Sequence, residues 1–565
     1  MKIIKLSQSN KIQRVSKIVA IGIAAQLISS CSITPKAVDN EAQLNNTYKG
    51  LHNVLDMQQP VGEKVNMSEA IARTLKYNLD HKLQQAQLMI ESGNLKAAYM
   101  EMLPSLDLNV GYSFRNNDLI QNLRDADGQV IPGQQSFTPR EVLNQSYGLS
   151  WSVLDLGLSY TRAQQQANRV MIAEEERRKI THNLMQEVIS SYWKAWTAQQ
   201  MLGDVTRIKE KAELALQRSK EAHDKQASTP QIELGYQQTL IKAIRKINLL
   251  KSQVLDAKQN LVRLMNARPN SKFELTSPND NLMKLPDIQP QFEKMDTIAL
   301  VSRPELRQAS YQAEIAKKGI QASIMNMLPG IDFNFGYNVT NNAFMKNQYW
   351  WGGNVGASLN LIQTFLTAPY SINLANKQHS FEQLKQIATT ITVLTQVRIA
   401  YSAYLLWQED ANYAAEEASA SMALFENAEN LEKANQGNEQ ITITRGVEAI
   451  SSQFDQYITM SRAHEALSKL YQSIGMDILP PDVRNLPLKQ LQAEIDKVLK
   501  AQSQGKFNQE IDKTYQNLQL TLQKVKTEMD EQRQDARKND NSDKKVKLEA
   551  KINSNNKPLE NKKNS

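Results

Sequence analysis

The sequence predicts a mainly α chain that carries a smaller β part and consists of an internal twofold repeat. Glycine and proline are scarce, with 21 and 17 among 565 residues, which favours long helices. Residues 106–114, LDLNVGYSF, alternate between apolar and polar or small side chains, which is typical of a strand with one apolar face. The segment recurs in the second half of the chain, so helices and strands are both expected twice.

Residues 1–30 predict a signal peptide. They hold five basic residues and no acidic one, and their apolar run is too short for a membrane-spanning helix. The run ends in Ser29-Ser30-Cys31, which is similar to the processing box of bacterial lipoproteins. With Ser32 after the cysteine, the sequence resembles the lipoproteins that are sorted to the outer membrane. Cys31 is the single cysteine of the chain, and we expect it to carry acyl chains at the start of a lipidated segment, 31–66. The alternative is an ordinary signal peptide with a chance cysteine.

Each half of the chain contains one predicted β-hairpin. The segments MLPSLDLNVGYSFRNN (102–117) and MLPGIDFNFGYNVTNN (327–342) are identical at nine of sixteen positions. Their partner strands are predicted in YGLSWSV and VGASLNL, after polar loops. The predicted partner strands are 147–153 and 355–361. The loops before them are 115–146 and 340–354, and the complete hairpins span 105–153 and 330–361.

Long helices flank both hairpins. Residues 67–101 and 291–327 lead into the strands, and a helical hairpin follows each β-hairpin. Apolar residues between Leu240 and Leu264 recur in steps of three and four, the coiled-coil spacing. In the helix before them, the apolar stripe from Leu184 to Trp196 is wide enough to contact neighbours on two sides. The resulting segments are repeat 1 at 67–270 with its helical hairpin at 158–266, repeat 2 at 291–480 with its helical hairpin at 368–475, a C-terminal helical extension at 486–535 and a disordered Lys/Asn-rich tail at 536–565.

The C-terminal extension carries apolar residues in heptad steps from Ile511 to Met529. It is expected either to pack on the waist of the helical part or to pair with itself. The tail is nearly free of apolar residues, and it is either a solvated end or a contact with anionic lipid or peptidoglycan. Because the net charge of +8 lies at the two ends of the chain, the charge does not predict nucleic-acid binding.

The amphipathic strands need a larger sheet than one chain supplies. A two-stranded hairpin is marginal in water, and lipid does not tolerate open strand edges. Membrane barrels begin at about eight strands, so four strands per chain must be shared between copies. Two copies would give eight strands and a filled interior, whereas three would give twelve strands and room for a pore. The alternative is a small water-soluble sheet packed on the helices.

Residues 60–480 resemble the TolC-like outer-membrane efflux protein family, and its lipoprotein members in particular. The resemblance rests on the ordered repeat of helix, β-hairpin and long helical hairpin. The segment LSWSVLDLG at 149–157 is similar to the family's strand-to-helix junction, Trp-Pro-Leu-Phe-Asp-x-Gly, through Asp155 and Gly157, with Ser152 in place of the proline. In the second half LIQTFLTAPYS replaces this junction, and Pro369 is expected to mark the re-entry into helix.

The resemblance implies a homotrimer in which a long coiled-coil helical barrel is continuous with a trimer-shared 12-stranded β-barrel. It implies a passive exit duct of a tripartite efflux or type I secretion system, located in the bacterial outer membrane and extending into the periplasm. The implied partners are a periplasmic adaptor protein, an inner-membrane transporter and outer-membrane lipid. The alternative function is a non-channel coiled-coil lipoprotein that acts as a structural spacer in the envelope.

The resemblance also places adaptor contacts and a constriction at the turns of the two helical hairpins. The family's acidic gate positions fall near Ile443 and Gly446, neither of which is acidic. Glu439 and Glu448 lie close by, so the gate candidates are Glu439, Glu448 and Ile443; the alternative for either glutamate is a solvated surface charge. The adaptor-contact candidates are Ser228, Thr229, Glu233, Gln436 and Asn438.

Aromatic residues near the strand ends suit a membrane interface. The expected girdle consists of Tyr112, Trp151, Tyr337 and Trp351. A water-soluble spacer has no use for such residues, which favours the channel interpretation.

Catalysis and metal binding have no candidate residues in the sequence. The six histidines are scattered without metal-ligand spacing, and there is no phosphate-binding loop. The sequence therefore predicts neither an enzyme nor a metal site, and no cofactor other than the acyl chains on Cys31.

Overall fold

The computed structural model describes residues 37–56, 58–121, 126–129, 135–136, 138–224, 230–269, 271–277, 285–476, 486–504, 506–519, 523 and 527. The predicted signal peptide, Cys31 and the tail 536–565 lie outside the described residues. The chain forms two compact units, Met1–Pro60 and Val61–Ser565. In the first unit, helix α1 spans Asn40–Asp56, and none of its residues is buried.

The described residues of the second unit form eight strands and nine α-helices. The helices are α2 Met67–Tyr77, α3 Leu79–Met100, α4 Val153–Asp224, α5 Pro230–Leu264, α6 Phe292–Ser302, α7 Pro304–Met325, α8 Ala368–Lys433, α9 Glu439–Ile474 and α10 Leu488–Ser503. The strands are β1 Lys64–Val65, β2 Ser105–Phe114, β3 Ile120–Gln121, β4 Gln135–Ser136, β5 Glu141–Ser152, β6 Glu274–Leu275, β7 Gly330–Thr340 and β8 Tyr349–Ser358. The described residues 507–519 form a further helical segment.

The two β-hairpins join in one sheet. Strands β2, β5, β7 and β8 are neighbours in that order, and every pair is antiparallel. The outer strands of this sheet are β2 and β8. Elsewhere β1 pairs with β6 in parallel, and β3 pairs with β4 inside the first hairpin loop.

The helices form a layer with the same order as the strands. Next to the sheet, α3 packs on α4, α4 on α7 and α7 on α8, so each helix lies beside the one that continues the neighbouring strand. Further along, α5 packs on α4, α4 on α9 and α9 on α8. Helix α8 therefore lies at one edge of the layer throughout its length, and α3 followed by α5 lie at the other edge.

The helices that lead into the hairpins are interrupted, whereas the sequence predicted continuous helices over 67–101 and 291–327. The first breaks at Asn78, whose side chain accepts hydrogen bonds from the N–H groups of Asp80 and His81 and so caps α3. The second breaks at Arg303, which adopts an extended conformation because Pro304 follows it.

The strands extend differently from their predicted bounds. Strand β5 begins at Glu141, so the first loop ends at residue 140 and not at 146; residues 141–146 pair with β2 although several are polar. Strand β8 spans Tyr349–Ser358, which is shifted towards the N-terminus from 355–361 because it pairs with the whole of β7. Helix α4 begins at Val153, five residues before the predicted 158, and the hydroxyl of Ser152 accepts a 3.4 Å hydrogen bond from the N–H of Asp155.

Pro369 is the second residue of α8, as the sequence predicted for the re-entry into α-helix, but helical backbone begins before it. Residues 361–362 are already helical, and a π-helical turn at Gln363–Thr367 leads into α8. Proline lacks an N–H group and its ring conflicts with the carbonyl four residues before it, which explains the wider turn at this point.

The apolar core runs along α4, as the width of its apolar stripe predicted. The stripe residues that are all buried are Leu184, Met185, Val188, Ile189, Tyr192, Trp193 and Trp196. Leu491 and Ile495 of α10 join this core, and Phe507 and Ile511 join a second core with Tyr404 and Tyr471. Of the two alternatives for the C-terminal extension, its described part therefore packs on the helices of the repeats. No helix among the described residues is long and apolar enough to cross a membrane.

Candidate functional site

The four-stranded sheet has one apolar and one polar face. The cross-strand register sets Leu108 beside Tyr147, and Tyr147 beside Tyr337, on the same face. Large apolar side chains on this face are exposed, including Leu106, Leu108, Val110, Phe114, Leu149, Trp151, Phe333, Phe335, Trp351 and Val355. The opposite face carries small and hydrogen-bonding residues such as Asp107, Asn109, Ser146, Ser150, Asp332, Asn334 and Asn338. A sheet of this kind suits an apolar surrounding on one side and water on the other.

The predicted girdle aromatics lie at different levels along the strands. Tyr337 and Trp351 are register partners with ring centroids 4.8 Å apart, and both lie within three residues of the second hairpin loop. Tyr112 lies two residues before the end of β2 at the first loop. Trp151 lies at the opposite end, one residue before the end of β5. The register places Tyr337 and Trp351 four residues along the strand direction from Trp151 and four from Tyr112, so the four aromatics lie at three different levels of the sheet.

Both edges of the sheet and the helix layer carry exposed apolar residues. The edge strands β2 and β8 have one neighbour each in the sheet, so half of their backbone groups have no strand partner within the chain. The exposed apolar residues of the edge helices include Leu83, Met89, Ile90 and Tyr99 on α3, Ile241, Leu249 and Leu255 on α5, and Phe381, Leu384, Ile391, Leu406, Tyr413 and Leu424 on α8. The apolar surface therefore continues from the sheet edges along the helix edges.

Three ion pairs join the two helical hairpins near their turns. On α4, Lys211 Nζ lies 2.8 Å from a carboxylate oxygen of Glu432 in α8. One turn away, Arg207 lies 3.8 Å from Glu429. Nearer the turn, Arg218 Nη1 lies 3.3 Å from a carboxylate oxygen of Glu439 at the start of α9. We call these three pairs the charge ladder; each links the first hairpin to the second.

The two candidate gate glutamates differ in their surroundings. Glu439 is half-buried and bound to Arg218, and its charge, after the larger effect of burial, helps to raise the pKa of Tyr236 to about 12. Glu448 is exposed and pairs with Arg445 on its own helix at 2.8 Å. Glu439 therefore contributes to the contact between hairpins, whereas Glu448 forms an ion pair within α9.

Ile443 does not lie where a pore residue would. Its side chain is 1% exposed and packs with Ala212, Ala215 and Leu240 between the two helical hairpins. The prediction that Ile443 lines the pore is therefore wrong, because an apolar side chain at this helix position is taken up by the interior of the protomer. At Gly446, a Cβ atom would come within 2.9 Å of Ile208, so the absence of a side chain lets the helices approach.

The adaptor-contact candidates lie in different environments. Ser228 and Thr229 fall outside the described residues. Gln436 and Asn438 are exposed in the second turn, where Asn435 adopts a left-handed conformation (φ 57°) and the N–H of Gln436 donates to the carbonyl of Leu431. The carboxylate of Glu233 accepts a 2.6 Å hydrogen bond from Ser219, so it helps to hold the first hairpin together.

Comparison with known proteins gives similarity in structure but none in sequence. No family model matches the chain, and no curated protein matches it significantly. Among solved structures, the Campylobacter jejuni CmeC outer membrane channel has a TM-score of 0.58 at 12% identity, over 83% of this chain and 98% of that one. The open state of the Neisseria gonorrhoeae MtrE outer membrane channel has a TM-score of 0.56 at 15% identity, over 73% and 89%. The outer membrane protein VceC of Vibrio cholerae has a TM-score of 0.53 at 12% identity, over 72% and 96%.

The chain has the TolC-like fold. The resemblance inferred from the order of helices and hairpins is thereby confirmed for the fold. At such low identity the similarity to these channels establishes the architecture alone, so the function of this TolC-like chain is considered separately below.

The sequence did not predict one charged cluster of the TolC-like protomer. Arg178 donates to the carbonyls of Ser302 and Gly475, and Arg303 donates to the carbonyl of Gln472, so both guanidinium groups bind the C-terminal ends of helices. The buried carboxylate of Glu175 binds Arg178. Two signals were available, namely the run of charges at 174–179 on an otherwise apolar helix face and the Arg303-Pro304 break, but the sequence does not reveal that they meet.

No group of three or more His, Cys, Asp and Glu side chains in the described part of the TolC-like chain is placed to hold a metal ion. The polar residues of the sheet and the charge ladder are therefore the groups that we consider for function.

Proposed function

We propose that this chain is one protomer of a trimeric outer-membrane channel that forms the exit duct of a tripartite efflux or type I secretion system. The observation that carries the proposal is the open protomer, in which the sheet and the helix layer end at the same two edges. Strand β8 and helix α8 form one edge, and β2 with α3 and α5 form the other. A structure with this order closes when the first edge of one copy meets the second edge of the next.

Closure also accounts for the two faces of the sheet. In a closed barrel the apolar face contacts lipid and the polar face lines a water-filled interior, so no backbone group is left unpaired in the membrane. The solved structures that this chain resembles include proteins described as outer membrane channels, which supports the same location for this chain.

Helix spacing favours three copies over two. Packed helices lie about 8–10 Å apart, so a ring of eight helices has a diameter of roughly 24 Å between axes and a ring of twelve roughly 36 Å. After subtraction of the helix diameter of about 10 Å, the interior is roughly 14 Å or 26 Å wide. The wider duct admits solutes with their hydration water, and it agrees with the twelve-stranded barrel that the resemblance implies.

The far end of the helical hairpins is the proposed site of partner binding and gating. We propose that the exposed Gln436 and Asn438 contact a periplasmic adaptor, together with Ser228, Thr229 and the surroundings of Glu233. Glu439 and Glu448 are the proposed gate carboxylates. An inner-membrane transporter is expected to drive export, while this protein acts as a passive conduit.

The proposed lipid anchor is Cys31. Cleavage before this residue and acylation would hold the N-terminus at the periplasmic leaflet of the outer membrane. Mass spectrometry of the mature N-terminal peptide tests it: an acylated Cys31 is expected, and an unmodified thiol would contradict the anchor without affecting the channel.

Purified full-length protein in planar bilayers tests the channel itself. We expect discrete single-channel currents from a heat-modifiable trimer. The runner-up function, a structural spacer lipoprotein, predicts no current and a water-soluble helical protein. A monomer that gives no current would therefore reject the channel in favour of the spacer.

A further inference from the structure

The strand register of the two hairpins follows the twofold repeat of the sequence. In the first hairpin Ser105 pairs with Ser150, and in the second Gly330 pairs with Ser358. The same alignment makes Pro104 equivalent to Pro329. Each residue of β2 is therefore equivalent to the residue of β7 that lies 225 positions later, and each residue of β5 to the residue of β8 that lies 208 positions later. The two hairpins are thus structural equivalents, residue by residue.

The contact between the hairpins inside one chain is known. Strand β5 of the first hairpin pairs with β7 of the second, and on the polar face the partners are Ser146 with Asn338, Gly148 with Gly336 and Ser150 with Asn334. The two glycines allow a close approach, since a Cβ atom at Gly336 would lie 3.2 Å from the carbonyl oxygen of Tyr147.

We propose that β8 of one protomer pairs with β2 of a second copy in the register that sets Gly356 against Gly111 of that copy. This inference rests on the proposed function, because it describes how the barrel closes. It follows when the β5–β7 contact is repeated with each strand replaced by its equivalent: β8 takes the place of β5, and β2 of the next copy takes the place of β7.

The residue types on the polar face agree with this register. The pair Ser150 and Asn334 becomes Ser358 and Asn109, again a hydroxyl beside an amide. The glycine pair Gly148 and Gly336 becomes Gly356 and Gly111, again two glycines.

The third pair is also conserved in type, and the glycines have room for a partner. Ser146 and Asn338 become Asn354 and Ser113, the same two residue types exchanged. A Cβ atom at Gly111 or at Gly356 would meet nothing within 4 Å in the single chain, in contrast to Gly336. Gly111 and Gly356 both lie on edge strands, whose outer sides have no strand partner in the single chain and are open to a second copy.

The backbone groups of the two edges also match. Arg115 donates to Arg140, so the odd-numbered residues of β2 bond to β5 and the even-numbered ones face outward. Thr340 donates to Gln348, so the even-numbered residues of β8 bond to β7 and the odd-numbered ones face outward.

The proposed register opposes odd-numbered residues of β8 to even-numbered residues of β2. Val355 then bonds to Tyr112 and Ala357 to Val110, and all four lie on the apolar face. A slip by two or four residues would keep faces and donors matched, so it is the repeat that selects this register.

Disulfide cross-linking of full-length protein in membranes tests the register. Residues opposed without a mutual hydrogen bond have Cα atoms about 4.5 Å apart, which suits a disulfide. Four cysteines suffice: Asn109→Cys, Ser113→Cys, Asn354→Cys and Ser358→Cys. The matched pairs are Ser113→Cys with Asn354→Cys and Asn109→Cys with Ser358→Cys.

The crossed pairs use the same four substitutions and serve as controls for expression and folding. These are Ser113→Cys with Ser358→Cys and Asn109→Cys with Asn354→Cys. Single-cysteine variants control for any thiol at Cys31. Two further pairs report slips by two residues: Gly111→Cys with Asn354→Cys, and Ser113→Cys with Gly356→Cys.

We expect at least tenfold more covalent oligomer from both matched pairs than from any other pair after mild oxidation. Stronger cross-linking of a crossed or slipped pair would overturn the register while leaving the trimer intact. A conducting trimer in which no pair cross-links would overturn the pairing of β8 with β2. Loss of both the oligomer and the current in the unsubstituted protein would instead reject the proposed function, so the two failures are distinguishable.

Discussion

The guanidinium of Arg178 donates a hydrogen bond of 2.8 Å to the carbonyl oxygen of Gly475 and thereby binds the 72-residue helix α4 to the end of α9. Its other terminal nitrogen donates to the carbonyl of Ser302, at the end of α6, over 2.7 Å. A positive charge at the carbonyl ends of two helices is favourable because both ends carry partial negative charge. This residue therefore connects the two repeats at a point where three helices meet.

Replacement of Arg178 by methionine is expected to destabilise the protein strongly. It leaves two helix-end carbonyls and part of the buried Glu175 carboxylate without their donor, which costs about 3 kcal/mol in the free energy of unfolding. Thermal unfolding followed by circular dichroism measures the change. The control is Arg263→Met, because the pair of Arg263 with Glu187 is exposed and should contribute less than about 1 kcal/mol. Equal effects of the two substitutions would contradict the role of Arg178.

Replacement of Gly475 by alanine is expected to destabilise the same junction. The residue has a φ of 76°, and a Cβ atom would lie 2.8 Å from the backbone of Ser302 and Arg303. The left-handed conformation alone costs an alanine about 1–2 kcal/mol, and the contact adds to it. Gly203→Ala is the control, since nothing lies within 4 Å of its Cβ position in helix α4 and the change should be neutral or stabilising. Thermal unfolding measures the difference: Gly475→Ala should unfold at a lower temperature than Gly203→Ala.

The two faces of the sheet predict opposite responses to a charge. Phe335 is 54% exposed on the apolar face, and Asn334 precedes it on the polar face of the same strand. If the apolar face contacts lipid, Phe335→Lys costs about 2–4 kcal/mol in the membrane, whereas Asn334→Lys faces water and is tolerated. Fractionation should find Asn334→Lys in the outer membrane as a trimer and Phe335→Lys largely outside it. Normal insertion of both variants would show that the apolar face does not contact lipid.

The ion pair of Lys211 with Glu432 predicts an acid-sensitive contact near the tip. Burial opposes the ionisation of Glu432, but hydrogen bonds from Lys211 and Thr442 outweigh it and hold its pKa below the ordinary value of 4.5. A carboxylate with a lowered pKa stabilises the folded state above its unfolded pKa, and this contribution disappears as the pH falls through the folded pKa. We therefore expect the hydrogen-exchange protection factors near residues 428–436, which correct for the intrinsic pH dependence of exchange, to fall below pH 4.5. In Lys211→Gln the part of this loss of protection that depends on the pair should be absent, and a pH profile of protection identical to that of the unsubstituted protein would contradict the assignment.

The pair of Arg218 with Glu439 predicts coupled effects on conductance. Removal of either charge breaks the contact between the hairpins, so Glu439→Gln and Arg218→Gln should both raise the conductance if the ladder holds the closed state. Only Glu439→Gln should also reduce cation selectivity, because it alone removes a negative charge from the proposed pore. Single-channel recording measures both quantities, with Glu448→Gln as the companion variant at the exposed site. Unchanged cation selectivity and unchanged block of the channel current in Glu439→Gln would show that this residue is not part of the gate.

The patterns that the sequence made visible are local ones. The alternation after Leu106 and its recurrence after Ile331 indicated strands, and the apolar stripe around Tyr192 indicated a helix buried on two sides. These assignments hold because side-chain spacing depends on the backbone geometry of one element at a time. The bounds of β5 and β8 and the breaks at Asn78 and Arg303 were misjudged, because strand pairing and capping involve residues that single-element patterns do not weigh.

The same distinction between local patterns and remote contacts applies to the candidate site. The sequence indicated the two hairpin turns, but it did not distinguish the buried Ile443 from the exposed positions around it, since both kinds of residue follow helical spacing. The charge ladder joins residues more than 200 positions apart, and no local pattern predicts such contacts.

By itself, the sequence determined that this protein has two equivalent halves, each with an amphipathic β-hairpin and a long helical hairpin, because periodicity and repetition are properties of the chain alone. Only the tertiary structure decided that the hairpins join into one sheet through β5 and β7, that strands and helices share one order with open edges at β2 and β8, and that Arg178 joins α4 to the ends of two other helices. These features depend on the distances and hydrogen-bond directions between segments that are remote in the chain, and those exist only once the segments are packed together.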